Sequence, residues 1–317
     1  MPRPDYDILI IGGGPGGMAA LLWSHSLGMR GLLLERAAEP GGQMLVMHHR
    51  IIDYPGLVLR NGHELRDHFV NHLRELALDW RLNCDVKRVN FKGMRIAING
   101  DGDSDDTDSG KALVCRALII ATGARKRRLG VPGEEKFAGR GVSFSATGDH
   151  PLFAGRDVVV IGGGDSAIEN SLILARVCPR VTLIHRSDKF RARDEWTRQV
   201  IEHPRISVIV NAELKQICGE GEVTHVIVED SGTREQRTIP TGGVFIRIGM
   251  APNTEFLEGQ LDLDDEGYIR CDARQQTSLP MVYAVGDVTR PVCKSVATAV
   301  GHGALAAKAI AESLREI

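Results

Sequence analysis

The sequence lacks several features that would place it in a specialised class of protein. Its six cysteines stand at positions 84, 115, 178, 218, 271 and 293, and no two of them form a CxxC pair. This spacing excludes a CxxC redox dithiol and a zinc site of ordinary spacing, and it favours reduced thiols in the cytoplasm. No apolar run reaches about 18 residues, so no membrane-spanning helix is expected.

The chain also lacks an excess of charge of either sign. It has 39 basic and 41 acidic side chains, and this near-balance argues against a general affinity for nucleic acid or other polyanions. The N-terminal apolar run enters a glycine-rich turn instead of a cleavage site, so no signal peptide is predicted. A length of 317 residues with 43% hydrophobic residues is typical of a globular protein of about two domains.

Neither of the two patterns that resemble metal sites is complete. Residues 101–110 (DGDSDDTDSG) begin like a calcium-binding loop, but Asp106 replaces the required glycine and Ala112 stands where a bidentate glutamate belongs. His68 and His72 lie four residues apart on a predicted helix over 64–78, without the glutamate of an HExxH motif. We therefore predict a solvated turn at 101–110 and no metal site.

One segment near the N-terminus is repeated in the middle of the chain. DILIIGGGPGGMAALLW (7–23) and DVVVIGGGDSAIENSLI (157–173) both contain an apolar run, a cluster of glycines and a helix-like segment. Each is typical of a strand, a tight turn and a helix. The sequence therefore predicts an α/β protein with two Rossmann-like nucleotide-binding domains.

The order of the segments predicts that one domain is inserted into the other. Strands are expected at 84–98 and 112–120. Two further segments resemble crossings between domains: 117–133, a strand that leads through a small turn into a basic loop, and 242–254, an apolar strand. On this basis, residues 1–117 and 245–317 form one discontinuous domain, and residues 118–244 form the inserted one.

The first glycine cluster has the features of a dinucleotide-binding loop. Gly12, Gly14 and Gly17 form GxGxxG after a strand, and glycines there allow the backbone to approach a diphosphate at a helix N-terminus. The next strand ends at Glu35, whose carboxylate is expected to accept hydrogen bonds from the ribose hydroxyls of an adenosine. The same charge would repel a 2′-phosphate.

Later segments favour FAD over NAD as the ligand of the first domain. Asp287 follows Gly286 at the end of a predicted strand, where a carboxylate can accept hydrogen bonds from a polyol such as ribitol. The helix from about Ser295 would direct its positive end at the electron-rich flavin ring. The residues expected to bind FAD are Gly12, Gly14, Gly17, Glu35, Gly42, Gln43, Gly286, Asp287, Ser295 and Val296.

The second glycine cluster differs from the first at the end of its second strand. His185 and Arg186 stand where the first unit has Glu35, and Lys189, Arg191 and Arg193 follow. A basic cluster at this position suits the additional phosphate of NADP, whereas an acid would favour NAD. The residues expected to bind NADPH are Gly162, Gly164, Ser166, Ala167, His185, Arg186 and Arg191.

The combined motifs resemble the low-molecular-weight thioredoxin reductase family over nearly the whole chain. They are GGGPGG, GGQ, YPG, ATG, GRGVS, GGGDSA, HRxxxFRA, IGxxPNT and AxGD. The resemblance implies that the terminal segments hold FAD, that the inserted domain holds NADPH, and that two copies form a homodimer. It also implies that the two domains rotate relative to each other. One departure is Ser187, where the family commonly has a second arginine.

A second departure concerns the redox dithiol of that family. The family has CATC followed by aspartate, whereas this chain has Ser145-Ala146-Thr147-Gly148 followed by Asp149. Thiol–disulfide exchange needs two thiols, so the resemblance implies that electrons do not leave through a disulfide here. Asp149 and His150 remain as candidate catalytic proton donors. Ferredoxin–NADP reductases of thioredoxin-reductase type also lack the dithiol and share GGGDSA.

Three functions are compatible with these residues. In the first, NADPH reduces FAD, which passes electrons to a protein carrier such as ferredoxin, flavodoxin or an iron–sulfur enzyme; the basic run Arg125–Arg128 would bind an acidic carrier. In the second, a small disulfide or quinone is reduced at the flavin, with Cys293 near the flavin edge. In the third, the protein is a non-catalytic nucleotide sensor.

Overall fold

The computed structural model describes residues 4–48, 50–98, 112–257 and 259–316, and the chain divides into two compact units. Unit 1 comprises Met1–Arg125 and Ala251–Ile317, and unit 2 comprises Lys126–Met250. The predicted turn at 101–110 lies outside the described residues.

Each unit contains both strands and helices. The helices are α1 Pro15–Ser26, α2 Gly62–Glu75, α3 Ala146–Asp149, α4 Asp165–Leu174, α5 Asp194–Ile201 and α6 Val296–Arg315. The strands are β1 Tyr6–Ile11, β2 Gly31–Leu34, β3 Ile51–Tyr54, β4 Leu57–Leu59, β5 Trp80–Arg81, β6 Val86–Asn90, β7 Arg95–Ile98, β8 Leu113–Ile120, β9 Ala124–Lys126, β10 Val142–Ser143, β11 Val158–Ile161, β12 Val181–Ile184, β13 Ile206–Ile209, β14 Ala212–Gly219, β15 Val223–Asp230, β16 Gln236–Pro240, β17 Gly243–Ile246, β18 Met250–Pro252 and β19 Val282–Ala284.

Unit 1 is built on a mixed sheet with the order β5-β2-β1-β8-β7-β6, and β19 also pairs with β8. β1 lies parallel to both β2 and β8 and is buried on both faces, which explains its continuous apolar sequence. Its alternate residues enter different cores: Ile8 and Ile10 pack with the helices, whereas Leu9 and Ile11 pack on the opposite face.

The first and last helices of unit 1 pack closely because small residues line their contact. A Cβ atom added to Gly303 on α6 would overlap the backbone of α1 at Gly16 and Ala20. A Cβ atom added to Gly16 would lie 3.2 Å from the carbonyl oxygen of Ala299. This close contact places the start of α6 near the first glycine loop, although they are far apart in the sequence.

Unit 2 contains a parallel sheet with the order β10-β17-β11-β12-β13 and an antiparallel sheet with the order β14-β15-β16. In the parallel sheet the chain runs from β11 through α4 to β12, while β17 lies on the other side of β11. The carboxyl ends of these strands meet at one edge, and β11 with β17 forms the switch point at which such sheets bind ligands. Together the two units confirm the predicted Rossmann-like α/β fold.

Several predicted boundaries differ from those of the structure. The proposed domain limits at 117/118 and 244/245 fall inside β8 and β17, whereas the compact units divide after Arg125 and Met250. The reason is that both strands continue to the carboxyl edge of their sheet before the chain leaves the unit. The segment 84–98 forms two antiparallel strands, β6 and β7, instead of one. No helix in the described part of the chain is long and apolar enough to span a membrane.

Candidate nucleotide-binding and redox sites

The glycines of the first loop are required by close backbone contacts. Gly12 has a φ of 112°, and a Cβ atom there would overlap the carbonyl group of Ala121. A Cβ atom on Gly17 would overlap the carbonyl oxygen of Gly12. The turn between β1 and α1 can therefore form only with glycine at these two positions.

Both glycine loops leave the start of the following helix open. α1 begins after Gly14 and α4 after Gly164; neither has a side-chain cap, and a Cβ atom at either glycine would meet nothing within 4 Å. By contrast, Asn61 caps α2 and Ser295 caps α6. Uncapped N–H groups next to open space are suited to bind a diphosphate, so both loops fit the cofactors that the sequence predicts.

Glu35 is buried behind the first loop, where it binds the backbone. Its Oε2 accepts a hydrogen bond of 2.6 Å from the N–H of Gly13, and its Oε1 accepts one of 2.8 Å from the N–H of Ala37. These bonds hold the carboxylate at the end of β2. Each carboxylate oxygen can accept a further hydrogen bond, so a ribose contact by Glu35 stays a prediction.

Tertiary structure brings two further FAD-site candidates together. Gln43 Nε2 donates a hydrogen bond of 2.8 Å to Asp287 Oδ2, although 244 residues separate them. Gly42 lies against the first loop, since a Cβ atom on it would come 3.0 Å from the Cα atom of Gly14. The contact joins a loop after β2 to the turn after β19, so these parts of unit 1 form one polar surface.

His302 was not predicted to belong to this region. Its Nδ1 accepts a long hydrogen bond of 3.4 Å from the N–H of Gly286, which has a φ of 73°. Burial lowers the pKa of His302, and the nearby Asp287 carboxylate partly opposes this shift. A neutral imidazole therefore supports the turn that carries Asp287. No motif marked this histidine in the sequence, because the contact depends on the fold of α6.

The start of α6 was predicted correctly. Ser295 is the N-cap residue, and its Oγ accepts a hydrogen bond of 3.1 Å from the N–H of Thr298. Val296 is the first helical residue. The remaining N–H groups of the first turn and the helix dipole favour negative charge at this end of α6.

The second loop repeats the backbone geometry of the first. Gly162 has a φ of 147°, and a Cβ atom there would overlap the carbonyl oxygen of Arg247 and lie 3.0 Å from the Cβ of Ala167. Ala167 is fully buried, whereas Ser166 is exposed in the first turn of α4. The small residue at 167 therefore allows close packing of helix and loop, and Ser166 faces outward.

His185 is packed under the second loop instead of projecting from it. The imidazole fills the space where a Cβ atom of Gly163 would lie, and it stacks on Phe190 with the ring centroids 5.2 Å apart. Nε2 lies 3.1 Å from the carbonyl oxygen of Lys189, so Nε2 carries the proton. Burial, and secondarily the charges of Arg186 and Arg191, lower the pKa of His185. This residue is therefore a neutral support and supplies no charge for a phosphate.

Arg186 and Arg191 are the cations left free for that phosphate. Both are exposed, and neither forms an ion pair with another described residue. Arg193, in contrast, lies 3.4 Å from the Asp165 carboxylate, and its guanidinium stacks 3.6 Å from the Trp196 ring centroid. The structure thus separates the predicted basic cluster into two unpaired arginines and one that is already paired.

The segment 141–150 forms β10, the short helix α3 and a 3₁₀ turn. Ser145 is the N-cap position of α3, and Gly148 is exposed. Asp149 Oδ2 accepts a hydrogen bond of 2.6 Å from Ser143 Oγ, and His150 Nδ1 lies 3.0 Å from the carbonyl oxygen of Ala146. Ser143 was not singled out by the sequence, yet it holds the candidate acid in place.

The cysteines do not form a substitute for the missing dithiol. All six lie in the described part of the chain, and none is paired. Burial raises the pKa of Cys115 to about 12 and that of Cys178 to about 11, so these thiols are protonated and unreactive near neutral pH. Cys293 is exposed and precedes α6 by three residues.

Most of the basic run at 125–128 is paired within the chain. Arg125 forms an ion pair with Glu255, Arg128 forms one with Glu135, and Arg127 Nε donates to the carbonyl oxygen of Met250 at 2.8 Å. Docking of an acidic carrier on this run stays a prediction, and the three arginines also have partners within the chain. Glu255 and Met250 lie more than a hundred residues from their partners, whereas Glu135 is only seven residues from Arg128.

The geometry agrees with the comparison to known families. Residues 6–303 match the pyridine nucleotide-disulphide oxidoreductase family. The chain belongs to this family. Members of the thioredoxin-reductase type bind FAD and NADPH, and these are the cofactors of this FAD-dependent oxidoreductase.

Individual pyridine nucleotide-disulphide oxidoreductases show the extent of the similarity. Thioredoxin reductase of Listeria monocytogenes is 36% identical over 315 residues, covering 98% of this chain and 95% of that protein. The structure of Lactococcus lactis thioredoxin reductase superposes with a TM-score of 0.75 and 34% identity, covering 99% and 100% of the two chains. A ferredoxin–flavin thioredoxin reductase of Clostridium acetobutylicum, at 24% identity and a TM-score of 0.51 over 98% and 99%, shares the fold.

Proposed function

We propose that this protein passes electrons from NADPH through FAD to a protein carrier without using a disulfide of its own. The observation that supports this is the pair Ser145, the N-cap residue of α3, and Gly148, within α3, which stand where the thioredoxin reductase family that the chain resembles has its two cysteines. A serine hydroxyl cannot form a disulfide, and glycine has no side chain. In this proposal the acceptor takes electrons by a route other than exchange with a dithiol at positions 145 and 148.

Each unit contributes its own residues to this function. In unit 1, Gly12, Gly14 and Gly17 shape the loop for the FAD diphosphate. In unit 2, the uncapped start of α4 accepts the NADPH diphosphate, and Arg186 with Arg191 binds the additional phosphate. FAD, when bound, accepts a hydride from NADPH and can release the electrons one at a time.

Other side chains orient the reacting groups and supply protons. The Gln43–Asp287 hydrogen bond fixes a polar surface for the ribitol, and the first turn of α6 stabilises negative charge on the flavin ring. Asp149, held by Ser143, and His150, whose Nε2 forms no hydrogen bond with another described residue, are the proposed proton donors. Their side chains need no thiol partner for this task.

A protein carrier such as ferredoxin, flavodoxin or an iron–sulfur protein is the proposed acceptor, because a flavin can divide a hydride into single electrons. The resemblance further implies a homodimer, and the cysteine usage favours the cytoplasm. The second candidate, reduction of a small disulfide or quinone at the flavin, is favoured by one observation: the Cys293 thiol is exposed. These candidates make different predictions for the Cys293→Ser variant, which should affect only a thiol route.

Anaerobic stopped-flow mixing with NADPH tests the first half of the function. The flavin absorbance should bleach, and the reduced protein should be reoxidised by ferredoxin or flavodoxin, measured as cytochrome c reduction that requires the added carrier. Thioredoxin should not reoxidise it. Absence of bleaching would exclude a reductase, and rapid thioredoxin reduction would exclude the proposed route.

A gain-of-function variant provides the positive control for the missing disulfide. Ser145→Cys/Gly148→Cys restores the CATC pattern, and a Cβ atom at residue 148 meets nothing within 4 Å. We expect this double variant to reduce thioredoxin and the Ser145→Cys single variant not to do so. That result would show that residues 145 and 148 account for the lack of thioredoxin reduction in the unmodified protein. Equal thioredoxin activity in the unmodified protein would contradict the proposal.

A further inference from the structure

Two cations converge on one residue of the segment that replaces the dithiol. Lys126 Nζ lies 5.4 Å from the centroid of the Phe144 ring, and the Arg247 guanidinium donates a hydrogen bond to the Phe144 carbonyl oxygen. All three residues belong to unit 2. Phe144 immediately precedes Ser145, so the two cations lie beside α3 and its Asp149.

Arg247 has a donor without an acceptor. Its Nε is buried and has no hydrogen-bond partner among the described residues. Burial lowers the pKa of Arg247, with a smaller opposing effect from the Glu169 carboxylate. A buried, unpaired donor costs on the order of 1–3 kcal/mol, more when it carries charge. A ligand oxygen at this position would remove that cost.

Lys126 is the one member of the 125–128 run that has no ion pair or hydrogen bond among the described residues. The residue is exposed, and its ammonium group lies over the Phe144 ring. Desolvation there, and then the charge of Arg247, lowers the pKa of Lys126, while Asp149 opposes the shift. Asp149 itself is held at 2.6 Å by Ser143 and forms no ion pair with either cation in the described chain. Two incompletely neutralised cations thus share one small region.

We propose that Lys126 and Arg247 bind an anionic group, a carboxylate, sulfonate or phosphate, of the electron acceptor beside Asp149. This inference rests on the proposed function and defines its acceptor class: an oxidant that carries negative charge. A charge-assisted hydrogen bond to Arg247 Nε and the Lys126 ammonium would hold that group.

The strand order shows where the pair lies relative to the proposed site for the nucleotide phosphates. The additional phosphate of NADPH is assigned to Arg186 and Arg191, which follow β12, and the diphosphate to the start of α4, which follows β11. Phe144 follows β10, and β17 lies between β10 and β11. With adjacent strands about 4.8 Å apart, β10 is roughly 10 Å from β11. The Arg247 guanidinium reaches Phe144 after β10, whereas its backbone packs against Gly162 after β11, so the pair lies next to the second glycine loop, and the NADP⁺ measurement below distinguishes the two ligands.

A pair of quinones that differ by one charge tests this inference. The dissociation constants of 1,4-naphthoquinone-2-sulfonate and of 1,4-naphthoquinone are measured by isothermal titration calorimetry on the oxidised, FAD-loaded protein, without NADPH. The sulfonate should bind about tenfold more tightly than the neutral quinone, and Lys126→Met or Arg247→Met should abolish that preference. Lys126→Arg should retain it.

Arg128→Met is the matched control, because it removes the same charge from an arginine already paired with Glu135. It should retain the preference. The inference is overturned if the unmodified protein shows no preference, if Arg128→Met loses it equally, or if the Lys126 and Arg247 variants weaken NADP⁺ binding and leave sulfonate binding unchanged. Because Lys126 is exposed, its variant keeps the test valid even if Arg247→Met does not fold. If NADPH failed to bleach the flavin, the proposed function would be rejected. The sulfonate-binding result would still stand, because it is measured on the oxidised protein and needs no reduction of the flavin.

Discussion

The two glycine loops have similar backbone geometry, but the side chains behind them differ in charge. In unit 1 the residue after β2, Glu35, accepts a hydrogen bond from the N–H of Gly13. In unit 2 the residue after β12, His185, packs its imidazole against Gly163, the corresponding middle glycine. Each side chain closes the back of its loop, one as a hydrogen-bonded carboxylate and the other as a buried ring.

This difference shows that the residue at the end of the second strand does not by itself set the charge of the site. Glu35 brings a negative charge directly behind the first loop. His185 is kept neutral by burial, so the positive character of the second loop comes from the exposed neighbours Arg186 and Arg191. Of these basic residues, His185 therefore has a structural role, whereas Arg186 and Arg191 are available to a ligand.

The largest effect is expected from alanine substitutions in the two glycine loops, because each loop is proposed to bind a different cofactor. Gly17→Ala introduces a Cβ atom that overlaps the Gly12 carbonyl oxygen, so the first loop must distort at a cost of about 1–3 kcal/mol or more. We expect this variant to be purified with little or no FAD. Gly162→Ala, which overlaps the Arg247 carbonyl oxygen, should retain FAD but be reduced slowly by NADPH.

The measurements for this pair are the flavin absorbance per protein and the rate of anaerobic bleaching, with urea unfolding as a check on folding. If Gly162→Ala were colourless and Gly17→Ala were yellow, the assignment of the two cofactors to the two units would be reversed.

A smaller effect is expected from the free arginines of the second loop. Arg186→Met and Arg191→Met should each raise the KM for NADPH on the order of tenfold, because each removes a charge-assisted hydrogen bond to the additional phosphate. The KM for NADH should remain unchanged. Arg193→Met is the control, since Arg193 already pairs with Asp165 and should not alter the preference. A parallel rise in both KM values would show that these arginines do not recognise the 2′-phosphate.

The smallest effect concerns the pH dependence of stability. Burial lowers the pKa of His185 below its usual 6.5, so the unfolded chain binds the proton more readily. The free energy of unfolding should therefore decrease as the pH falls from about 6.5 through the folded-state pKa, and it should be insensitive to this group above that range. Urea unfolding at pH 7.5 and pH 5.5 measures the decrease, about 1 kcal/mol or less per group.

His302 in unit 1 provides the comparison for that measurement. Its pKa is also lowered by burial, so His302→Gln and His185→Gln should each remove part of the pH dependence. A variant whose slope matched that of the unmodified protein would show that its histidine does not titrate differently in the folded state.

Local sequence patterns predicted the parts of the fold that depend on local backbone chemistry. Gly12 and Gly162 were found because tight turns with positive φ need glycine, and Ser295 was found at the start of α6 because serine is a common N-cap. The domain limits were misplaced because apolar runs mark buried strands but do not show where the last contact with a sheet ends.

Side-chain partners from distant parts of the chain were beyond the reach of the sequence. No spacing joins Gln43 to Asp287, Arg125 to Glu255, or Lys126 to Arg247, since each pair is separated by more than a hundred residues. The basic run at 125–128 was correctly seen as positive, but its availability to a partner depended on acids that only folding brings near.

The amino-acid sequence alone determined two glycine loops, the residue that follows each second strand, and the presence of serine and glycine at positions 145 and 148. Backbone turns and strand ends depend on neighbouring residues, so the residues that they require can be recognised from the local sequence. Only the tertiary structure decided which charges remain unpaired: His185 became neutral by burial, three arginines found partners, and Lys126 and Arg247 converged beside Asp149. Whether a charged side chain is neutralised by another depends on the distance between them in space, and this distance cannot be read from the order of residues.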